Sequence, residues 1–236
     1  MEYIPSQKIK AQRTRSVEIE QMSPWVVEDG SFVKLLARYF QDPPYEAMLD
    51  IGCGSGATLK QAAAHFSALH GVDIVSYLAP DLGPAVKFAP LDLNFEPWPH
   101  ADASMDLVTA FQVIEHLENP FFVMREARRV LKPGGFFIFS VPNPCQITFR
   151  IKYLFTGDMP PWTKENNHLL FLTKAVLAKT YFAEFELVKT LYQKGAIPMW
   201  GRLRPVFGKR LIKKHALVLP RSEWFGRRVC YVLKKT

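Results

Sequence analysis

Seven residues, Asp50-Ile51-Gly52-Cys53-Gly54-Ser55-Gly56, place an acid two positions before the first of three alternating glycines. Such a run turns sharply and lets backbone amides approach a bound group without Cβ obstruction. Ala57 completes the small-residue spacing of a dinucleotide turn. Asp73 stands about twenty residues on, where an acid can accept hydrogen bonds from ribose hydroxyls. Any adenosine-containing cofactor fits so far. Asp50 narrows the choice, because it would repel a pyrophosphate and attract an ammonium group. Asp92 closes a third apolar run, where a carboxylate can accept from an adenine amino group. Phe111-Gln112-Val113-Ile114-Glu115-His116-Leu117 brings further polar groups after a fourth run. The candidate cofactor contacts are Asp50, Gly52, Cys53, Gly54, Asp73, Ile74, Asp92, Leu93, Phe111 and Gln112.

Each of these residues also has a plainer reading. Asp50 could cap the amides of its own turn. Glu115 and His116 could simply open a helix, with the acid favourable near its start. Cys53 reads as a small residue in a tight turn, since no basic partner beside it would activate the thiol. His116 and His168 are the candidate general bases, and His168 fits an ordinary polar loop residue equally well. The cysteines Cys53, Cys145 and Cys230 are too widely spaced for a zinc pattern or a disulfide framework. No metal site is expected.

The elements that must position these groups follow from periodicity and turn chemistry. Ser23 and Pro24 open a helix with apolar spacing to Phe40, and Pro43-Pro44 ends it. Strands are expected over 48–51, 68–73, 86–92, 105–110 and 136–141, with Pro90 making the third short or an edge. Helices are expected over 57–66 and 120–130, and a turn over 132–135. Residues 74–85 hold two prolines and a glycine and allow at most a short turn. Residues 143–172 are proline-broken and aromatic, without clear period, and read as a lid or acceptor-side insertion. Tyr153, Phe155 and Trp162 there could line an acceptor pocket or pack the insertion onto the domain. A helix over 173–182 and strands over 184–193 and 228–233 complete the chain, with a basic segment over 194–226. The alternation implies an α/β fold: a Rossmann-like, doubly wound, mostly parallel seven-stranded sheet with helices on both faces. Ligands of such sheets bind beyond the carboxyl ends of the strands, where strand order reverses.

Length and composition suit one such unit. The chain has 236 residues, 48% of them apolar. Residues 1–22 read as a polar arm and 23–236 as a single domain. The amino terminus lacks an apolar signal region, and no uncharged apolar run approaches the roughly 18 residues of a membrane span. A cytoplasmic protein is the expectation. The net charge of +8 is concentrated at the ends: residues 201–236 hold eleven Lys or Arg against the single acid Glu223. Arg202, Arg204, Lys209, Arg210, Lys213 and Lys214 form the densest stretch. That stretch could recruit an anionic acceptor, lipid or nucleic acid, or could be a solvated surface.

The run from Met48 to Asn143 resembles the class I S-adenosylmethionine-dependent methyltransferases, in their broad small-molecule branch (type 11/23-like). Leu49-Asp50-Ile51-Gly52-Cys53-Gly54-Ser55-Gly56 resembles the family's first motif. Leu91-Asp92-Leu93 with Pro97-Trp98-Pro99 and Ser104-Met105-Asp106-Leu107-Val108 resembles its adenine segment and fourth strand. Glu115-His116-Leu117, Arg129-Val130-Leu131-Lys132-Pro133-Gly134-Gly135 and Val141-Pro142-Asn143 resemble later landmarks. The resemblance implies S-adenosylmethionine as cofactor and methyl transfer to a small-molecule or lipid- or glycan-linked acceptor, an anionic one included. An RNA or protein methyltransferase using the basic segment is the alternative, though no Asn/Asp-Pro-Pro-aromatic tetrapeptide follows the fourth strand. A non-catalytic binding protein and a nicotinamide-dependent oxidoreductase are the rivals from other classes. The first sits poorly with an intact turn and both acids, the second with Asp50.

Overall fold

The apolar runs pair into one sheet whose two faces are both covered, which is why several strands read as continuous apolar stretches. The computed structural model describes residues 24–162, 167–197 and 217–236. Its main strands are β1 (Tyr45–Ile51), β2 (Phe66–Asp73), β3 (Val86–Pro90), β4 (Met105–Phe111), β5 (Leu131–Pro142), β6 (Glu186–Tyr192) and β9 (Arg228–Lys234). Strands β7 (Gly195–Ile197) and β8 (Leu217–Leu219) pair as a separate two-stranded sheet. The order across the large sheet is β3-β2-β1-β4-β5-β9-β6. Strands β1 to β5 are parallel, and β9 runs antiparallel between β5 and β6. The expected seven-stranded, mostly parallel, Rossmann-like sheet is therefore the observed one. Its order reverses between β1 and β4, so the crevice at a switch point opens beyond Ile51 and Phe111.

The helices are α1 (Trp25–Glu28), α2 (Ser31–Tyr39), α3 (Ala57–Ala62), α4 (Pro120–Val130), α5 (Ile147–Thr156), α6 (Lys174–Lys179) and α7 (Tyr181–Glu184). Helices α1 to α3 bury Trp25, Phe32, Leu36 and Leu59 with Met48, Leu107, Ile138 and Val232 of the sheet. Helices α4, α6 and α7 bury Val123, Leu177 and Tyr181 with Leu49, Val108, Phe137 and Tyr231 on the other face. Alternate residues of each central strand thus feed opposite cores.

Local departures from expectation have local causes. The first helix breaks at Gly30 (φ 70°), and Pro24 caps α1 rather than entering it. Helix α3 stops at Ala62 because Phe66 already pairs with Tyr45 to open β2. The expected turn at 132–135 is instead the irregular start of β5, with a register shift between Met105 and Leu107. The insertion is not irregular throughout: it contains α5, capped by the Gln146 side chain and ended by Gly157 (φ 72°). Only Phe149 of α5 is buried, so the sequence carries no one-faced pattern to betray the helix. The helix expected over 173–182 breaks at Thr180 into α6 and α7. The short crossover over 74–85 is as expected, with a single 3₁₀ turn at Gly83–Ala85. The polar arm 1–22 and the basic stretch from Arg202 to Lys214 lie outside the described residues.

Asn143 fastens the end of β5 to the segment before β9. It is 2% exposed, and its amide donates to the carbonyls of Glu223 and Gly226, both at 2.7 Å. Its Oδ1 accepts from the Cys145 amide at 3.0 Å. Asn143→Ala strips a partner from these groups at once and should cost about 2–4 kcal/mol. Urea unfolding with an unchanged midpoint would show that this clasp carries no stability.

Candidate functional site

Between β1 and α3 the chain turns through Gly52 (φ 65°), Gly54 (φ 50°) and Gly56 (φ 80°). A Cβ at Gly52 would collide with the Val113 side chain, and one at Gly56 with Leu82 and Leu78. At Gly54 nothing lies within 4 Å of that position, so the turn faces open space there. Two strand-end groups hold the turn. The Val72 carbonyl accepts from the amides of Gly52 and Cys53, at 2.8 and 3.2 Å. The buried Asp73 carboxylate accepts from Gly54 N at 3.1 Å and from Ile74 N at 2.8 Å. Asp73 therefore fastens the turn itself, a task that its spacing in the sequence did not disclose. Cys53 packs against Gly71, and burial pushes its thiol far up, which leaves it a neutral turn residue.

The remaining cofactor candidates sit along the same edge. Asp92 lies two residues beyond β3 rather than in it, where its Oδ1 accepts from both the backbone and the side chain of Asn94, each at 3.0 Å. Asn94 Oδ1 in turn accepts from Glu118 N at 2.8 Å, so the Asp92 turn is tied to the segment after β4. Leu93 is buried in the core. Phe111 sends its ring into the core under α2, edge-on to Phe32 at 5.6 Å. Gln112, the next residue, has φ 59° without being glycine, and its amide donates to Ser140 O at 3.0 Å. Such left-handed backbone is strained for a side-chain-bearing residue and must be held by its surroundings.

A second group of side chains follows Gln112. The 3₁₀ turn Ile114–His116 carries Glu115 and His116, and the segment after Trp162 returns His168 to them. The rings of His116 and His168 lie 4.7 Å apart, between centroids. The Glu115 carbonyl accepts from the amides of Leu169 and Leu170, at 2.7 and 3.3 Å. The Glu115 carboxyl has 0% exposure and, beyond its own backbone amide, no hydrogen-bond partner among the described residues. Burial pushes it up to about 8, against smaller opposing pulls from its own backbone amide and then from Arg228. The sequence offered the two histidines as separate weak candidates and read Glu115 as a polar group beside the cleft or a helix-opening acid, without joining it to His168. Trp162 follows, its ring 6.2 Å from His168 and 4.7 Å from Phe171. Tyr153, Gly157, Asp158, Met159, Trp162 and Phe171 line a cavity of about 430 Å³ on this side. A smaller one, about 270 Å³, lies at the opposite edge by Tyr45 and Asp106, where the strands begin.

Asp50 is 3% exposed. Its partners are the hydroxyls of Thr109, at 2.5 Å, and Thr58, rather than the amides of its own turn. Burial raises its pKa from 3.8 to about 7; the two hydroxyls oppose the rise and nearby Asp73 adds to it. The folded value is the higher one, so this group's contribution to stability is complete below 3.8 and is lost as pH rises through about 7. The full loss is on the order of 4 kcal/mol. The ligand-free chain should therefore weaken, relative to Asp50→Asn, between about pH 4 and about pH 7.5. Unfolding free energies of the two proteins that keep a constant difference across that range would refute this account of Asp50.

Comparison with known proteins bears on this edge of the molecule. The family described as Methyltransferase domain matches residues 49–139. A 24-methylenesterol C-methyltransferase 2 of Oryza sativa subsp. japonica is 28% identical over 188 residues, covering 72% of this chain and 50% of that protein. A 27-O-demethylrifamycin SV methyltransferase of Amycolatopsis mediterranei is 35% identical over 101 residues, covering 38% of this chain and 36% of that protein. The chain thus spans half the length of the first relative and about a third of the second. A SAM-dependent methyltransferase from Archaeoglobus fulgidus superposes with a TM-score of 0.58 at 17% identity, over 87% of this chain and 92% of that one. The cofactor of this family is S-adenosylmethionine. Residues 49–139 thus match a methyltransferase domain, and the seven-stranded sheet is the fold of the solved SAM-dependent methyltransferase.

Proposed function

We propose that the chain methylates an apolar small-molecule or lipid-linked acceptor at the cleft between the glycine turn and the insertion. The observation that carries this reading is the buried Asp50 carboxylate in the turn that is open at Gly54; the aromatic cavity is linked to the end of β4 through Trp162, His168 and His116. Asp50 would take the ammonium group of the cofactor, which offsets the cost of its burial. Asp73 would accept from the ribose hydroxyls while it continues to hold the turn. Asp92 would accept from the adenine amino group, with Ile74 and Leu93 as apolar neighbours. Gly52, Cys53, Phe111 and Gln112 would contribute backbone.

When bound, S-adenosylmethionine supplies a methyl group already activated by its sulfonium charge. This chain's residues then need chiefly to align the acceptor and exclude water. Trp162, Phe171, Tyr153 and Met159 suit an apolar acceptor. The acceptors named for the two relatives, a 24-methylenesterol and a 27-O-demethylrifamycin SV, are small molecules. In this reading residues 23–236 act as one domain, with 143–172 and 194–226 as its additions. No helix among the described residues is long and apolar enough to cross a membrane.

Calorimetry with S-adenosylhomocysteine, the demethylated product, tests the cofactor half. Asp73→Asn should weaken binding by roughly 10- to 100-fold, and the parent should give no heat with NAD. Tight NAD binding would defeat the proposal. The acceptor half is tested by incubation with lipid and metabolite extracts, reading the mass increment of one CH₂. Trp162→Ala should raise the acceptor's KM by about tenfold and leave product affinity alone, since one large buried contact is lost only on the acceptor side. Equal loss of both would place Trp162 in the cofactor site.

A further inference from the structure

Glu115, His116 and His168 bring together the side-chain types that hold transition metals. A carboxylate oxygen of Glu115 and one ring nitrogen of each histidine all lie within 4.8 Å of one another. The cluster has features beyond proximity. Glu115 is wholly buried, and beyond its own backbone amide its carboxylate has no hydrogen-bond partner among the described residues. Buried carboxylates are ordinarily paired, hydrogen-bonded or bound to a cation. Arg228 supplies part of the counter-charge, but through space rather than by a hydrogen bond. The histidines are oriented by backbone. His116 Nδ1 meets the carbonyl of Asn167 at 3.1 Å, and His168 Nδ1 meets that of Pro161. A carbonyl can only accept, so each Nδ1 carries the proton and donates it, and the lone pair is left on Nε2. Metal-binding imidazoles are commonly held in this tautomer by a carbonyl on the other nitrogen.

We propose that Glu115, His116 and His168 form a binding site for a divalent transition-metal cation. Two imidazoles and one carboxylate suit zinc, whereas magnesium and calcium prefer oxygen ligands. Zinc bonds of roughly 2.0–2.1 Å put tetrahedral ligands about 3.4 Å apart, inside the 4.8 Å that bounds the cluster. Three protein ligands leave a fourth position for an oxygen from water or from a bound molecule, the arrangement of an open zinc site. The site goes beyond methyl transfer and depends on no particular acceptor.

Zinc titrated against a chromophoric chelator tests this on the full chain, first stripped with a stronger chelator. The parent should bind one zinc per chain, and magnesium in excess should not displace it. His116→Ala, His168→Ala and Glu115→Gln should each lose about tenfold or more in zinc affinity. His70 and His100, whose rings lie 5.1 Å apart, are the other paired histidines among the described residues, and His70→Ala should bind zinc as the parent does. Circular dichroism and S-adenosylhomocysteine calorimetry establish that each variant is folded. The two histidine variants, at partly exposed positions, keep the test decisive if Glu115→Gln does not fold. A parent without stoichiometric zinc, folded histidine variants with full zinc affinity, or a loss confined to His70→Ala would each overturn the proposal.

Discussion

A carboxylate buried at the gap between β1 and β4 sets the terms for the whole ligand edge. Asp50 stands where the sheet order reverses, and Thr109 from β4 donates to it across that gap at 2.5 Å. Thr58 from the following helix adds a second hydroxyl. Two neutral donors compensate a buried charge only in part, and Asp73 on the neighbouring strand increases the strain. The edge is thus built to be completed by positive charge and hydrogen-bond donors. The amides of the glycine turn do not relieve it: those of Gly52, Cys53 and Gly54 are taken up by Val72 and Asp73. What remains open is the space over Gly54.

This geometry explains which parts of the molecule were legible in the sequence. The turn is written in residue type, because Gly52 and Gly56 each sit where a Cβ would strike Val113 or the Leu78 and Leu82 pair. The parallel strands are legible because burial on both faces demands apolar residues at every position, as in Phe137, Ile138 and Phe139. Pro90 correctly marked β3 as an edge, since an edge strand tolerates the missing amide. Boundaries were harder to read: α3 yields to strand pairing at Phe66, a tertiary decision with no local signature. Asp73 was recognised as an acid at a strand end, but its grip on Gly54 depends on two segments meeting in space.

The Glu115 side was nearly illegible for a related reason. Its chemistry lies in the meeting of residues 115 and 116 with residue 168, and about fifty residues of intervening chain carry no spacing rule for it. The two histidines, read singly, are indistinguishable from polar loop residues. What joins them is backbone: the Glu115 carbonyl receives Leu169 and Leu170, and the Asn167 carbonyl faces His116. A hydrogen-bonded return of this kind can be encoded by many side chains, so it leaves little trace in residue type.

Helix α5 shows the same limit from the opposite direction. Leu154 and Phe155 are 77% and 80% exposed, and Ile151 and Tyr153 are also turned outward. A ten-residue helix with one buried residue gains little from packing, so its ends must define it. Gln146 accepts from Phe149 N at 2.9 Å at one end, and Gly157 turns left-handed at the other. Burial therefore does not account for the apolar residues of α5, and a soluble surface would not select them. Of these residues Tyr153 lines the cavity at Trp162. The polar cluster at Glu115 lies one ring deeper, past His168.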